Sequence, residues 1–475
     1  MKLSIGFIND VHGYLEQHDE LFYSGGKEVI ERAGGYAQIS TIFKEINEEN
    51  RNFLFFDGGD TFHGTLPAIE SKGEALVPIL NQLNLCAMVG HWDFAYGPKQ
   101  LKNLISQLNY PLLGINIYNQ DGSLFTIPYI IKVIDSVKIG IIGICSNIID
   151  KTMPKHFSEG IKITDGSIEL PNYIKKLRDE GVNLIILLSH NGFPQDVEML
   201  NHTLGIDICL SAHTHNRLYE PVKVKDAILV QCGCHGSFVG KLEIDIVENK
   251  VTAHHYKLIC VSDKILPDIK IKSLVEKIMK PYKKLQTEKA GVTNGILHRY
   301  STLESTMDDL LLASIKFASK SDIAFSNGWR YGSPIKIGQI NKWDLYNIIP
   351  MNPVISIVDM TGNEIIHMLE ENLERTFSCK AMNQMGGYVK RCIGIHIKLR
   401  IENPIFNRIQ EVYFQDQKLE SDKIYKVSFV TSQGVPEKYG TNRRDLKIYA
   451  VQAMKTFLKS NNPYKPVVNN SFNLI

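Results

Sequence analysis

Seven side chains of carboxylate or imidazole type recur where open α/β sheets usually do chemistry. They are Asp10 and His12 in "NDVHG", Asp60 in "GGDTFHG", His91 in "VGHWDFAYG", His190 in "SHNG", and His213 and His215 in "AHTH". Each follows a short apolar run of strand character, and chemistry in such sheets collects just beyond the carboxyl ends of strands. A single histidine in that place is ordinarily a surface or satisfied core residue, but five strand ends converging on the same residue types imply a common purpose. Hard oxygens plus imidazoles, without a thiolate, suit Mn²⁺, Zn²⁺ or iron and argue against a cysteine-type structural zinc site. Seven donors exceed what one ion takes. Two divalent ions about 3.5 to 4 Å apart, sharing a carboxylate, would use them all and activate water for in-line displacement at phosphorus or sulfur. The expected chemistry is hydrolysis.

The elements that must position these residues are legible as periodicity. Up to residue 262, "LSIGFI", "NFLFF", "LCAMV", "KIGIIGI", "NLIILL", "IDICL", "AILVQ" and "KLEIDIV" read as buried or half-buried strands. Amphipathic stretches such as "YAQISTIFKEINEEN", "PKQLKNLISQLN" and "NYIKKLRDEG" read as helices between them. That alternation predicts a layered α/β sandwich over 1–262. The lysine-rich stretch 263–290 predicts a connecting helix with a solvated face, and 291–475 a second domain. A chain of 475 residues is long for one core, and its 53 basic and 51 acidic residues nearly cancel without blocks of one sign. This excludes the footprint of a nucleic-acid or membrane binder and favours a small-molecule or protein partner. Eight scattered cysteines without a Cys-x-x-Cys pair predict reduced thiols, with Cys232 and Cys234 read as structural. The opening "MKLSIGFINDVHG" has no signal-peptide pattern and no apolar run is long enough to span a bilayer, so the expected location is cytoplasmic.

Taken together, "NDVHG", "GGDTFHG", "SHNG" and "AHTH" resemble the metallophosphoesterase motifs Asp-x-His, Gly-Asp, Ser-His and Gly-His-x-His, in family order and spacing. The second half resembles the 5′-nucleotidase C-terminal domain, with "FSNGWRYG" in place of that family's Asn-Gly…Arg substrate loop. The resemblance implies a four-layer metallophosphoesterase sandwich followed by a smaller α+β domain that binds the substrate. It makes Asp10, His12, Asp60 and His215 ligands of one ion, with Asp60 bridging to a second ion held also by His190 and His213. The remaining ligand of the second ion is, in the family, the asparagine of Gly-Asn-His-Glu.

Here "GHWDFA" departs from the pattern. His91 takes the asparagine position and is expected to be a ligand, and Trp92 replaces the catalytic histidine. Asp93 stands at the glutamate position as the remaining candidate acid, and Ala95 replaces the aspartate that supports the histidine. An indole N–H neither binds a cation nor shuttles a proton. The same Gly-His-Trp pattern is similar to that of the sulfur-oxidising thiosulfohydrolases. In the second domain "IIPMNPV" and "FVTSQGVPEKYG" lack the family's two base-clamping phenylalanines, leaving Met351 and Tyr439 as substitutes. Asn327, Gly328, Arg330 and Arg299 are the expected contacts to a small anionic substrate, because a guanidinium forks onto phosphate or sulfonate oxygens. The leading expectation is a dinuclear phosphoester hydrolase of the 5′-nucleotidase family. The alternatives are thiosulfohydrolase-like cleavage of sulfur esters or thiosulfonates, and a non-catalytic metal- or nucleotide-binding protein.

Overall fold

A computed structural model describes residues 1–467 and 469–475, and they group into two compact units. The first comprises 1–18 and 31–280; the second comprises 19–30 and 281–475. All eight apolar runs read as strands are strands, and the three amphipathic stretches carry the helices Tyr36–Glu49, Pro98–Ile105 and Glu169–Asp179.

The first unit is built on two mixed sheets. One runs in the order Lys250–Cys260, Phe238–Val247, Lys2–Ile8, Phe53–Asp57, Ala87–Met88; the other in the order Val222–Val224, Ala227–Val230, Ile208–Ser211, Leu184–Ser189, Val137–Ile144, Tyr129–Ile134. Helix Tyr36–Glu49 lies against the first sheet, while Glu169–Asp179 and Phe193–His202 bury Leu170, Ile174, Leu177, Met199 and Leu200 in the core of the second. Lys2–Ile8, Phe53–Asp57 and Ala87–Met88 are mutually parallel, as are Val137–Ile144, Leu184–Ser189 and Ile208–Ser211. Parallel pairing puts the carboxyl ends of these strands on one edge of each sheet, so Asp10, Asp60 and His91 follow one sheet and His190 and His213 the other. The two edges meet: a Cβ on Gly58 would lie 2.9 Å from the Cβ of Ala212.

The second unit has a five-stranded sheet, ordered Tyr388–Ile393, Ile323–Gly328, Ile424–Phe429, Val354–Thr361, Thr441–Tyr449, with helices Thr306–Ser319, Gly362–Phe377 and Ala450–Ser460. A smaller sheet orders Gln417–Lys418, Ile409–Phe414, His396–Leu399, Phe472–Leu474. Residues 19–30, read from the linear order as part of the first domain, belong to this unit. Glu20 accepts a 2.6 Å hydrogen bond from the Tyr300 hydroxyl, and Glu28 lies 3.4 Å from His298.

The stretch 263–290 is not a single connecting helix. It divides into Ile269–Met279, a 3₁₀ turn Lys280–Tyr282, and Lys283–Thr287. The first piece is fixed to helix Tyr36–Glu49 through Asp268, whose carboxylate caps the amides of Lys270 and Ile271 and accepts from Ser40 Oγ at 2.7 Å and Lys44 Nζ at 2.6 Å. Burial alone would raise the Asp268 carboxyl, but Lys44, Ser40 and the two amides outweigh it and hold the group at about 2. Lys44 is 63% exposed, so screening leaves its ion pair little weight and the cap and serine bonds most of the effect. Because the folded value lies below the ordinary 3.8, this contribution is complete above pH 4 and is lost as pH falls through about 2. Asp268→Ala is expected to cost about 1 kcal/mol at neutral pH, the usual worth of such a cap. In paired denaturant titrations the gap between parent and variant should narrow below pH 4; a gap that does not depend on pH would contradict the assignment.

Candidate metal centre

The two sheet edges bring all seven expected ligands together. The donor atoms of Asp10, His12, Asp60 and His215 lie within 4.8 Å of one another, as do those of Asp60, His91, His190 and His213, so Asp60 is common to both groups. Asp60 Oδ1 is 3.4 Å from His91 Nδ1, while Oδ2 is 3.4 Å from His190 Nε2 and 3.6 Å from His12 Nε2. Asp10 Oδ1 is 3.3 Å from His215 Nε2 and 3.8 Å from His190 Nε2.

The loops that carry these side chains are strained. Asp10, His12, Asp60, His213 and His215 all have positive φ, between 51° and 75°, a region that residues with a Cβ avoid unless surrounding structure enforces it. Gly59 enforces part of it: at φ 87° it lets the chain pass so close to Val89 that a Cβ would sit 2.5 Å from the Val89 carbonyl oxygen. Backbone bonds join the loops, Asp10 N–H to the Gly59 carbonyl at 2.9 Å and His12 N–H to the Asp60 carbonyl at 2.7 Å.

The donor set fits divalent cations on three observations. Asp10 and Asp60 are almost wholly buried, and Asp10 Oδ1, His190 Nε2, His215 Nδ1 and both ring nitrogens of His91 have no hydrogen-bond partner, although buried polar atoms are normally satisfied. His190 Nδ1 is bonded to the Gly58 carbonyl and His12 Nδ1 to the His63 carbonyl at 3.2 Å, so in both rings Nε2 is the nitrogen turned toward the carboxylates. Burial acts to raise the Asp60 carboxyl, yet His190 and His91 hold it well below the usual carboxylate range, and burial acts to lower His190, yet Asp60 holds it at about 10. The pocket is a negative field awaiting positive charge.

Asp93 has another task than the one its sequence position suggests. It is wholly buried and accepts four backbone N–H groups: Thr61 and Phe62 on Oδ1 at 2.9 and 3.0 Å, and Asp60 and His91 on Oδ2 at 2.9 and 3.1 Å. Its lone pairs face the protein, so it is a clamp between the Asp60 and His91 loops instead of an acid aimed at substrate. Trp92 is half-buried; its amide donates to Asp60 Oδ1 at 2.6 Å, and its indole stacks on His63 with centroids 4.5 Å apart and meets the edge of Phe157. His63 was not singled out in the sequence, although it lies inside "GGDTFHG".

The expected substrate residues lie in the second unit. Asn327 and Arg330 are half-buried at the end of strand Ile323–Gly328, with the Arg330 guanidinium 4.6 Å from the centre of the Tyr388 ring. Gly328 is required there, because a Cβ would sit 2.4 Å from the Tyr388 carbonyl oxygen. Arg299 is a correction: it is buried, with Nε on Asp308 and its two terminal nitrogens on the carbonyls of Tyr331 and Ile348, each at 2.8 Å. Asp308 also accepts from the buried Arg391 at 3.0 Å, a residue that the sequence did not mark. Tyr439 is likewise a core residue, its hydroxyl 3.0 Å from His367 Nδ1, whereas Met351 is exposed.

Replacing Asp93 by alanine strands four buried amides, each worth about 1 to 3 kcal/mol. Asp93→Ala should therefore lower the melting temperature markedly, and Asp93→Asn should also do so because its –NH₂ faces N–H donors. An unchanged melting temperature with loss of activity alone would restore the role of acid.

Residues 3–217 match the calcineurin-like phosphoesterase family, and residues 285–432 match the 5′-nucleotidase C-terminal domain. The 5′-nucleotidase of Rattus norvegicus is 25% identical over 484 residues, covering 90% of this chain and 81% of that protein. The trifunctional nucleotide phosphoesterase protein YfkN of Bacillus subtilis is 23% identical over 480 residues, 90% of this chain, which spans 31% of that longer protein. Among solved structures, the sulfate thiohydrolase SoxB of Thermus thermophilus superposes with a TM-score of 0.92 at 20% identity, covering 100% of this chain and 96% of that one. A 5′-nucleotidase precursor, also from Thermus thermophilus, does so at 0.88 and 20%, covering 100% and 99%. No helix among the described residues is long and apolar enough to cross a membrane. The chain is thus a two-domain hydrolase of the metallophosphoesterase superfamily, a calcineurin-like phosphoesterase domain followed by a 5′-nucleotidase C-terminal domain.

Proposed function

We propose that the protein hydrolyses small anionic phosphoesters at a dinuclear centre in its first unit. The observation that carries this reading is the pair of four-donor groups sharing Asp60. Asp10, His12, Asp60 and His215 hold one divalent ion; Asp60, His91, His190 and His213 hold the other. Imidazole and carboxylate donors select manganese, zinc or iron. When bound, the pair supplies Lewis-acid polarisation of the ester and activation of water. Asp93 fixes the two loops, and the Gly58 and His63 carbonyls hold His190 and His12 with Nε2 inward. In the second unit Arg330, with Asn327 and Gly328, is the candidate contact for a small anion, and Arg299 is a core residue of that unit. None of the eight cysteines is in a disulfide among the described residues, which agrees with a reducing, cytoplasmic setting.

A second reading has its own observation. Trp92 occupies the place of the family's catalytic histidine, and its stack with His63 presents an aromatic surface there. A sulfur ester or thiosulfonate releases a group that needs no proton, so thiosulfohydrolase-like cleavage is the alternative.

Both readings share one consequence. A positioned acid contributes about 10² to 10⁴ in rate, and neither Trp92 nor the clamped Asp93 supplies one. Aryl phosphates with acidic phenols, anhydrides or sulfur esters should be cleaved much faster than AMP, with log kcat/KM falling steeply as leaving-group pKa rises. A flat series, or AMP as the best substrate, would contradict the absence of an acid. The ligand role of His91 is tested separately by metal analysis: His91→Asn should retain most of the second ion and His91→Ala should lose it. Equal retention by both would remove His91 from the centre.

A further inference from the structure

Next to the first donor set lies a third, which contains sulfur. Donor atoms of His215, Cys234 and His235 fall within 4.8 Å of one another, and all three side chains are at least nine-tenths buried. Cys232, its neighbour in sequence, is engaged elsewhere, its Sγ 3.2 Å from the Phe7 carbonyl and 2.7 Å from Asn9 Oδ1. Cys234 is thus separated from it in environment despite the Cys-x-Cys spacing.

Two observations set this cluster apart from an accidental grouping. His215 presents Nε2 to Asp10 Oδ1 and His12 Nε2, both at 3.3 Å, whereas its Nδ1 is buried with no hydrogen-bond partner. His235 shares the left-handed backbone of the ligand loops, φ 58°, and its amide donates to the Asp10 carbonyl at 2.7 Å, which ties it to the loop of the first donor set. Strain of that kind persists only where surrounding structure enforces it, and it collects at functional sites. The ring packs against Tyr14, with centroids 4.7 Å apart, and the backbone of the residue is held by His18, whose Nε2 bonds the His235 carbonyl at 2.9 Å.

We propose that His215 Nδ1, Cys234 and His235 form a third metal site, selective for a borderline or soft ion of the zinc and cadmium class, that shares His215 with the first carboxylate-containing site. One thiolate and two imidazoles favour such ions over manganese or magnesium. The three sites then differ in kind: two are oxygen and nitrogen, and one carries sulfur. A histidine that binds ions through both ring nitrogens does so as imidazolate, its N–H proton passing to solvent as the second ion enters, and that bridge couples the two sites, so an ion on the sulfur side alters the affinity of the first site for its own.

Metal-stripped full-length protein titrated with Co²⁺ tests this, because a cobalt–thiolate bond gives a near-ultraviolet charge-transfer band that oxygen and nitrogen ligands do not. The expected result is three bound equivalents by elemental analysis, with the band developing for one of them. Cys234→Ser should abolish the band and one equivalent while keeping two, and Cd²⁺ should displace the band-forming cobalt before the others. A band with fewer than two further equivalents would sustain this site and sink the dinuclear reading. Two equivalents without a band in the parent protein would do the reverse, and that arm requires no variant to fold. A band that survives in Cys234→Ser would also overturn the proposal.

Discussion

Two carboxylates buried side by side govern the structure of the first unit. Asp10 and Asp60 are removed from water, repel each other, and are offset by neighbouring imidazoles. Burying uncompensated charge is costly, so the surroundings supply positive partners, namely amide N–H groups and imidazoles. Asp10 Oδ2 accepts from Asn9 Nδ2 at 2.6 Å and from the His213 amide at 2.9 Å, which leaves Oδ1 for the centre. Trp92 takes one direction on Asp60 Oδ1 through its amide.

The loops reach this arrangement against their own backbone preferences, and buried side chains on neighbouring elements hold them there. Asp93 binds the Asp60 and His91 loops with four amides. Asp196 does the equivalent for the other sheet, accepting from Ser189 and Ser211 at 2.6 Å each, one residue before His190 and two before His213. Gln231 extends the network to the Ser211 hydroxyl and the Ala212 carbonyl. Asp57, also wholly buried, adds to Asp93 at the first edge by accepting from the Gly59 amide at 2.9 Å and the Thr61 hydroxyl at 2.7 Å, so buried carboxylates brace the loops at both sheet edges. Polar networks of this kind, fully satisfied, specify one geometry.

The sequence revealed what periodicity and residue type determine. Strands from Lys2–Ile8 to Phe238–Val247 follow from apolar runs, and the clustering of the seven carboxylate and imidazole side chains from their places after strands. It did not reveal which way a polar side chain faces. Asp93 and Arg299 have the residue types of an acid and an anion clamp, but four amides claim the first and Asp308 with two carbonyls the second. Such partners are distant in sequence and set by packing. The hairpin tip 19–30 could not be placed from linear order, because its membership rests on contacts such as Glu20 to Tyr300 across 280 residues. Cys234 was read with Cys232 because of spacing, whereas the fold sets it among His215 and His235.

The central claim is that Asp60 lies between two cations. The direct measurement is anomalous diffraction from crystals of the Mn²⁺-loaded protein, recorded on either side of the manganese edge. Two manganese peaks about 3.5 to 4 Å apart are expected, both within coordination distance of the Asp60 carboxylate. A single peak, or a pair to which Asp60 contributes to only one, would contradict it.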